Sequence, residues 1–308
     1  MRKVQPGGGE PAPALRNAVS EKRENMSLGL EGKVAIVTGS GETVGKQIAM
    51  TLAAEGATVV INDVFPEKVE RTVAELKAKG HQALGITADV TVYKQVEAMA
   101  GQVIKDLGRI DILVNNVGIA WGQYGPKGRG WFYNQDPGEW NEILDHNIGC
   151  TMNCSRAVLP HMMDRRYGKI INISSVGTIA SVVKTCVYQS GKAAVNQFTT
   201  SLAGEVGRYG INVNAVITGY TVGPRDALVE SRRETHPEEY RKRMEHKDRM
   251  MAVTPLGRMG TGEDYADAVA FLASDKASYI TGHLLRVTGG FPQILEYSSG
   301  AIPGQGRD

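Results

Sequence analysis

Short apolar runs alternate with amphipathic stretches along most of this chain, from about residue 30 to residue 290. Residues 33–38, 57–62 and 169–175 are apolar and rich in β-branched side chains, which is typical of parallel strands buried on both faces. Residues 46–55, 140–165 and 187–209 have the spacing of amphipathic helices. The alternation continues without a linker, and it predicts one α/β domain with a doubly wound, Rossmann-like parallel sheet.

Both ends of the chain lack this alternation. Residues 1–27 are polar and contain a Gly- and Pro-rich stretch, so their composition predicts a disordered N-terminal extension. Met26 is an alternative start, because the folded pattern begins shortly after it. We expect the folded domain to cover residues 28–292 and a C-terminal tail to cover residues 293–308.

A glycine-rich turn follows the first predicted strand and leads directly into a helix. Strand, glycine turn and helix in this order let backbone N–H groups and the helix N-terminus face a pyrophosphate. The pattern therefore predicts a dinucleotide site, with a helix-opening turn without ligand as the alternative. The candidate contacts in the turn are Gly39, Gly41, Thr43, Val44 and Gly45.

Asp63 ends the second predicted strand, about 20 residues past the glycines, where a carboxylate accepts hydrogen bonds from the adenosine ribose. Such a carboxylate repels a 2′-phosphate, and Glu42 in the turn adds a second negative group. No arginine follows Asp63 directly. These residues predict a preference for NAD over its 2′-phosphorylated form, with Val64 beside the adenosine.

Tyr188 and Lys192 stand one helical turn apart, on one face of a predicted helix. A phenol has a pKa of about 10 and is a poor base at neutral pH. A nearby cation favours phenolate, so we expect Lys192 to lower the pKa of Tyr188. Ser175, at the end of the preceding strand, supplies a hydroxyl. A surface pair without function is the alternative, because Tyr and Lys at this spacing arise by chance on many helices.

Together these motifs resemble the short-chain dehydrogenase/reductase family, over about residues 30–290. Thr38-Gly39 with Gly45 resembles its cofactor turn, and Asn115-Asn116-Val117-Gly118 the end of its fourth strand. Residues 255–258 and 281–290 resemble its C-terminal signature. The resemblance implies further cofactor contacts by Asp89, Val90, Asn116, Gly118, Tyr188, Lys192, Gly219 and Thr221.

The resemblance also implies roles for four residues. Tyr188 would exchange a proton with a secondary alcohol or ketone. Lys192 would lower the pKa of Tyr188 and hold the cofactor ribose, and Ser175 would bind the substrate oxygen. Asn147 would hold a helix kink and a water. The family further implies a nicotinamide cofactor, a mobile helical lid over about residues 224–252, and a homotetramer or homodimer.

Four positions depart from the family pattern. Thr43 stands where glycine is usual, which brings a side chain near the phosphates, and Gly41 is expected to take over part of the turn. Val117, Thr218 and Gly223 replace an alanine, a proline and a threonine. These departures motivate an alternative function, a catalytically weak or inactive NAD-binding partner subunit of a related dehydrogenase.

Two segments are candidates for the substrate pocket. Residues 119–136 hold several aromatic side chains among glycines, including Trp121 and Trp131, and Tyr220 lies after a later strand. They predict a substrate with a bulky apolar, aromatic or acyl-thioester portion, while a core cover or subunit contact is an equal alternative. Residues 225–249 carry balanced charge, which indicates either a solvated helix face or arginines that receive an anionic substrate.

Composition narrows the remaining possibilities. The net charge is only +2, from 35 basic and 33 acidic residues. The basic residues form no stripe of the kind that binds nucleic acid, so no nucleic-acid partner is expected. The 3 cysteines have no metal-ligand spacing, so we expect no metal, and their sparse count fits reduced thiols in the cytoplasm. No apolar run is long enough for a transmembrane helix, so no membrane partner is expected.

Overall fold

In the computed structural model, which describes residues 27–118, 130–222, 229–231 and 233–292, seven parallel strands form one sheet. The spatial order is β3-β2-β1-β4-β5-β6-β7, so successive strands are added on one side of β1 up to β3 and on the other side from β4 onward. This order confirms the predicted doubly wound sheet. The strands are β1 (Val34–Val37), β2 (Thr58–Asp63), β3 (Ala83–Thr87), β4 (Ile112–Asn115), β5 (Gly168–Ser175), β6 (Ile211–Thr218) and β7 (Leu284–Val287).

Helices cover both faces of the sheet, as parallel crossovers require. A helix within the predicted lid segment, Pro237–Ala252, has no buried residue. The helices are α1 (Thr43–Ala54), α2 (Pro66–Ala78), α3 (Tyr93–Leu107), α4 (Trp140–Leu144), α5 (Cys150–Arg165), α6 (Cys186–Val206), α7 (Pro237–Ala252) and α8 (Gly262–Ala273).

The core lies in two layers, one on each face of the sheet. Alternate residues of β1 separate into these layers: Ala35 and Val37 pack in one, and Val34 and Ile36 in the other. All four residues are at most 4% exposed. A strand buried on both faces is apolar at every position, which explains why the sequence shows runs there instead of alternation.

The predicted helix over residues 140–165 is interrupted. The structure has a π-helical turn, Asp145–Gly149, between α4 and α5. Such turns are rare and often occur at functional sites. Among the described residues, no helix is both long and apolar enough to cross a membrane.

Candidate active site

The glycine-rich turn between β1 and α1 is packed so closely that added side chains would not fit. A Cβ on Gly45 would overlap the carbonyl of Gly39 and the side-chain amide of Asn116. That amide donates hydrogen bonds to the carbonyl oxygens of Thr38 and Gly39, at 3.0 and 3.1 Å. Asn116 therefore fixes the path of the turn.

The first turn of α1 has its backbone N–H groups at the glycine-rich turn. Glu42 is the N-cap residue, and its side chain makes no capping hydrogen bond. The first N–H groups of a helix have no partner within the helix, and the helix dipole favours an anion beside them. A tightly packed turn that ends in such a helix start fits the pyrophosphate of a dinucleotide.

Thr43 adopts a left-handed backbone conformation, with φ at 55°. A β-branched residue in this conformation costs on the order of 1–3 kcal/mol. The expectation that Gly41 takes over part of the turn is wrong, because Gly41 has no positive φ and is required for another reason. A Cβ on Gly41 would lie 2.6 Å from the Cβ of Lys68 and 2.7 Å from Asp63 Oδ2.

The carboxylate of Asp63, at the end of β2, is oriented by two backbone N–H groups. Oδ2 accepts from Gly41 and Oδ1 accepts from Phe65, each at 3.2 Å. A carboxylate has about four lone-pair sites, so this one can also accept hydrogen bonds from two ribose hydroxyls. Val64 beside it is 45% exposed and provides an apolar surface. The sequence predicts the adenosine ribose beside these groups.

Asp89 and Val90, the predicted adenine contacts, follow β3. The Asp89 carboxylate accepts from the N–H and the hydroxyl of Thr91, at 2.9 and 2.7 Å, and so stabilises its own turn. The Val90 side chain is 5% exposed and belongs to the core. Asn153 Nδ2 donates to the Val90 carbonyl at 3.1 Å, which ties this turn to α5.

Lys192 on α6 is almost completely buried, at 3% exposure. Its ammonium donates to the carbonyl of Ile173 on β5, at 2.8 Å. Burial disfavours the charged form and lowers the pKa of Lys192 to about 8. A Cβ on Gly118 would overlap the ammonium. The glycine after β4 is therefore required so that the lysine can reach its position.

Tyr188 lies one turn before Lys192 on the same helix, and Ser175 lies at the end of β5. The structure brings them together, because the Ser175 hydroxyl lies near enough to the Tyr188 phenol to act to lower its pKa. Burial has the larger effect, so the pKa of Tyr188 lies above its ordinary value. The Lys192 ammonium donates to Ile173, and the lowering of the Tyr188 pKa by Lys192 together with an oxidised nicotinamide stays a prediction.

Asn147 is fully buried in the π-helical turn before α5. Its Nδ2 donates to the carbonyl of Ile143 at 2.7 Å. A Cβ on Gly118 would lie 3.0 Å from Asn147 Oδ1, and one on Gly191 would lie 3.1 Å from Asn147 Cβ. Close approach at two glycines therefore brings the π-helical turn against the position of Lys192.

The segment after β6 contains Gly219 and Thr221, two of the residues predicted to contact the cofactor. Thr218, in place of the usual proline, donates from its hydroxyl to the Ser174 carbonyl at 3.0 Å. The hydroxyls of Thr221 and Tyr265 lie 2.9 Å apart and are hydrogen-bonded. Gly219 approaches Thr288, where a Cβ would lie 3.0 Å from its Cα. Gly223 is outside the described residues.

The described part of the aromatic segment lies on the surface. Trp131 is 46% exposed and stacks on Tyr133, with ring centroids 6.1 Å apart. The ammonium of Lys184 lies 5.2 Å from the Trp131 ring, and Gly130 donates to the Lys184 carbonyl. These contacts join the segment to the loop before α6. Trp121 is outside the described residues.

Tyr220, the other predicted substrate contact, packs on Phe291, with ring centroids 5.3 Å apart. Two basic residues of α7 form ion pairs within the helix. Arg241 contacts Glu238 and Glu245 at 3.0 and 2.6 Å, and Lys242 contacts Glu238 at 3.2 Å. These pairs favour the solvated-face interpretation of α7. Arg232 is outside the described residues.

A buried polar chain that the sequence analysis missed connects α6 to the sheet. Asn115 on β4 donates to Asn172 on β5 at 2.8 Å, and Asn172 donates to Thr199 on α6 at 2.9 Å. Thr199 is buried two helical turns after Lys192, on the same face. Polar residues within the apolar runs indicate buried hydrogen bonds, but the sequence does not show which residues pair, because the pairing depends on how the strands and helices pack.

A family model described as short chain dehydrogenase matches residues 33–234. A (2S)-[(R)-hydroxy(phenyl)methyl]succinyl-CoA dehydrogenase subunit, BbsD, from Thauera aromatica is 36% identical over 85% of this chain and 98% of its own. A 3-oxoacyl-[acyl-carrier-protein] reductase, FabG, from Staphylococcus aureus is 38% identical over 84% of this chain and 97% of its own. This chain belongs to the short-chain dehydrogenase/reductase family.

A crystal structure of the protein gox2181 is similar, with a TM-score of 0.75 and 32% identity over 86% of this chain and 97% of that one. Membership in the short-chain dehydrogenase/reductase family makes this protein an oxidoreductase of alcohols and ketones that uses a nicotinamide cofactor. The packed turn, the helix start and Asp63 fit that cofactor. Among the described residues, no group of three or more His, Cys, Asp or Glu side chains could hold a metal ion.

Proposed function

We propose that this protein is an NAD-dependent oxidoreductase that interconverts a secondary alcohol and a ketone. The observation that carries the proposal is the cluster formed by the Ser175 hydroxyl at the end of β5, the Tyr188 phenol, and the buried Lys192 ammonium one helical turn further along. This cluster lies at the carboxyl ends of the strands, beside the reversal point of the sheet, where ligands bind in open α/β folds.

The bound cofactor supplies the hydride acceptor or donor and, when oxidised, a positive charge. In the direction of alcohol oxidation, Tyr188 as phenolate accepts the hydroxyl proton. Ser175 donates a hydrogen bond to the substrate oxygen and stabilises the negative charge that develops there. Lys192, held by Ile173, binds the cofactor ribose and provides a fixed cation near the phenol. Asn147 stabilises the π-helical turn that packs beside Lys192.

The proposal is tested by adding a panel of secondary alcohols and NAD to the purified protein and recording nicotinamide absorbance. Absorbance changes with at least one alcohol support the enzyme. The alternative, an inactive NAD-binding partner subunit, predicts NAD binding without turnover for any of them.

We expect the protein to bind NAD more tightly than NADP. The two remaining acceptor positions of the Asp63 carboxylate favour ribose hydroxyls, and its charge repels a 2′-phosphate. Loss of one hydrogen bond to a carboxylate costs about 1.5–3 kcal/mol, or roughly one to two powers of ten in Kd. Titration of both cofactors, followed by protein fluorescence, measures the ratio. Equal or tighter binding of NADP would contradict this preference.

We further propose that the substrate carries a bulky apolar or aromatic portion, or an acyl-thioester portion, that contacts Trp131. The half-exposed Trp131 ring and its link to the loop before α6 support this. The two relatives named above, which act on an acyl-CoA and an acyl-carrier-protein thioester by name, support it as well.

Replacing Trp131 by Ala should raise KM for a bulky aromatic alcohol and leave KM for isopropanol nearly unchanged. An aromatic contact contributes about 0.5–1.5 kcal/mol beyond its buried area, so KM should rise between about twofold and tenfold. Tyr279→Ala is the control, because Tyr279 is a fully exposed aromatic residue. If both alcohols respond equally to Trp131→Ala, the aromatic segment has an architectural role or forms a subunit contact.

A further inference from the structure

An ion pair lies at the rim of the proposed adenosine site. Lys68 Nζ on α2 is 2.7 Å from Glu42 Oε1 at the start of α1, and the two side chains are 21% and 46% exposed. A Cβ on Gly41 would lie 2.6 Å from Lys68 Cβ and 2.7 Å from Asp63 Oδ2. The stem of Lys68 is therefore close to the carboxylate that faces the ribose.

Charge at this rim is balanced among the described residues. The two acidic groups are Asp63 and Glu42, and the two basic groups are Lys68 and Arg71. The guanidinium of Arg71 donates to the Gly41 carbonyl at 3.4 Å, and the Thr72 hydroxyl donates to the same oxygen at 3.0 Å. Lys68 is thus the cation whose position depends on an acidic side chain.

We propose that Glu42 is a specificity-determining residue that excludes the 2′-phosphorylated cofactor by holding Lys68. This inference rests on the proposed cofactor site. A phosphate beside Asp63 needs a cation that donates to it, because charge-assisted hydrogen bonds provide much of its binding energy. In this protein the Lys68 ammonium already donates to Glu42 and lies 4.5 Å from the centre of the Phe65 ring. The Arg71 guanidinium donates to the Gly41 carbonyl. Both cations named at this rim are therefore engaged elsewhere, and the acidic partner of Lys68 is the contact that a charge-removing substitution can release.

The inference predicts that removing the charge of Glu42 releases Lys68. Glu42→Gln keeps the size of the side chain, and Glu42 makes no capping hydrogen bond that the change would remove. The freed ammonium can then reach a 2′-phosphate. We expect the Kd for NADP to fall about tenfold, the order of one charge-assisted contact, while the Kd for NAD changes less than about twofold.

The experiment measures Kd for NAD and NADP by calorimetry in the wild type, Glu42→Gln, Lys68→Met and the double variant. The gain in NADP affinity should disappear in the double variant, because it depends on Lys68. Lys68→Met alone should leave the wild-type ratio nearly unchanged. The matched control is Glu75→Gln, which removes another α1–α2 ion pair, Lys46 to Glu75 at 2.5 Å, with exposures of 27% and 41%.

Two results would overturn the inference. One is an unchanged ratio of the Kd values for NAD and NADP in Glu42→Gln. The other is a gain in NADP affinity that persists in the double variant, which would show that the lost charge of Glu42 acts directly and not through Lys68. Circular dichroism melts confirm folding, and Glu42→Ser serves as a second variant if Glu42→Gln is unstable. Tight NADP binding by the wild type would instead contradict the proposed NAD preference, and the dependence of Glu42→Gln on Lys68 would still be measured.

Discussion

Tyr188→Phe should lower kcat for alcohol oxidation at least about 100-fold, the low end of general acid–base contributions. The substitution removes only the phenol oxygen, which lies near the Ser175 hydroxyl and is the group proposed to accept the substrate proton. The ring remains, so α6 should stay packed against β5, and the glycine-rich turn should keep its conformation. NAD affinity should therefore change little.

Steady-state kinetics with NAD and a responsive secondary alcohol measure this effect, and a fluorescence titration measures NAD affinity. Tyr279→Phe is the matched control, since Tyr279 is fully exposed and far from the catalytic helix in sequence. Turnover of Tyr188→Phe within about threefold of the wild type would exclude Tyr188 as the proton acceptor, because general acid–base catalysis contributes far more.

Gly118→Ala should lower kcat about tenfold or more at neutral pH. The new methyl group would overlap the Lys192 ammonium, which is buried and bonded to the Ile173 carbonyl. The ammonium has to leave this position, and the cation near the phenol is then lost. One pKa unit corresponds to 1.36 kcal/mol, so a rise of about one unit in the pKa of Tyr188 gives a tenfold loss of active phenolate below that pKa.

The pH profile separates this explanation from simple destabilisation. Oxidation needs the deprotonated phenol, so a raised pKa of Tyr188 moves the acid limb of kcat to higher pH. We expect Gly118→Ala to recover much of its activity on the alkaline side. Gly101→Ala is the control, because a Cβ on Gly101 has no neighbour within 4 Å. A uniform loss at all pH values would show that the methyl group acts on folding or cofactor binding.

The strands were predictable because they are buried on both faces. Residues 34–37 and 59–61 are apolar at every position, and the structure has β1 and β2 there. The predicted helix over residues 46–55 starts earlier, at Thr43. That start depends on a left-handed residue, and no propensity favours threonine in that conformation. Helix ends are set by such local contacts more than by periodicity.

The interrupted helix over residues 140–165 shows what periodicity does not reveal. One helical pattern continues through residues 145–149, yet the structure has a π-helical turn there with Asn147 at its centre. The turn packs against Gly118 and Gly191, which are distant in the chain. Only the resemblance to a family suggested a kink, because its cause is a tertiary contact.

The sequence by itself determined the chemistry that is available: the glycine turn, the carboxylate of Asp63, and a tyrosine and lysine one turn apart. Those features depend on residue identity and on local spacing, which the chain carries directly. The tertiary structure alone decided how the charges are used. Lys192 donates to Ile173, burial raises the pKa of Tyr188, and Lys68 pairs with Glu42. Electrostatic interactions depend on distance and on the surrounding medium, and both are fixed only when the strands and helices pack.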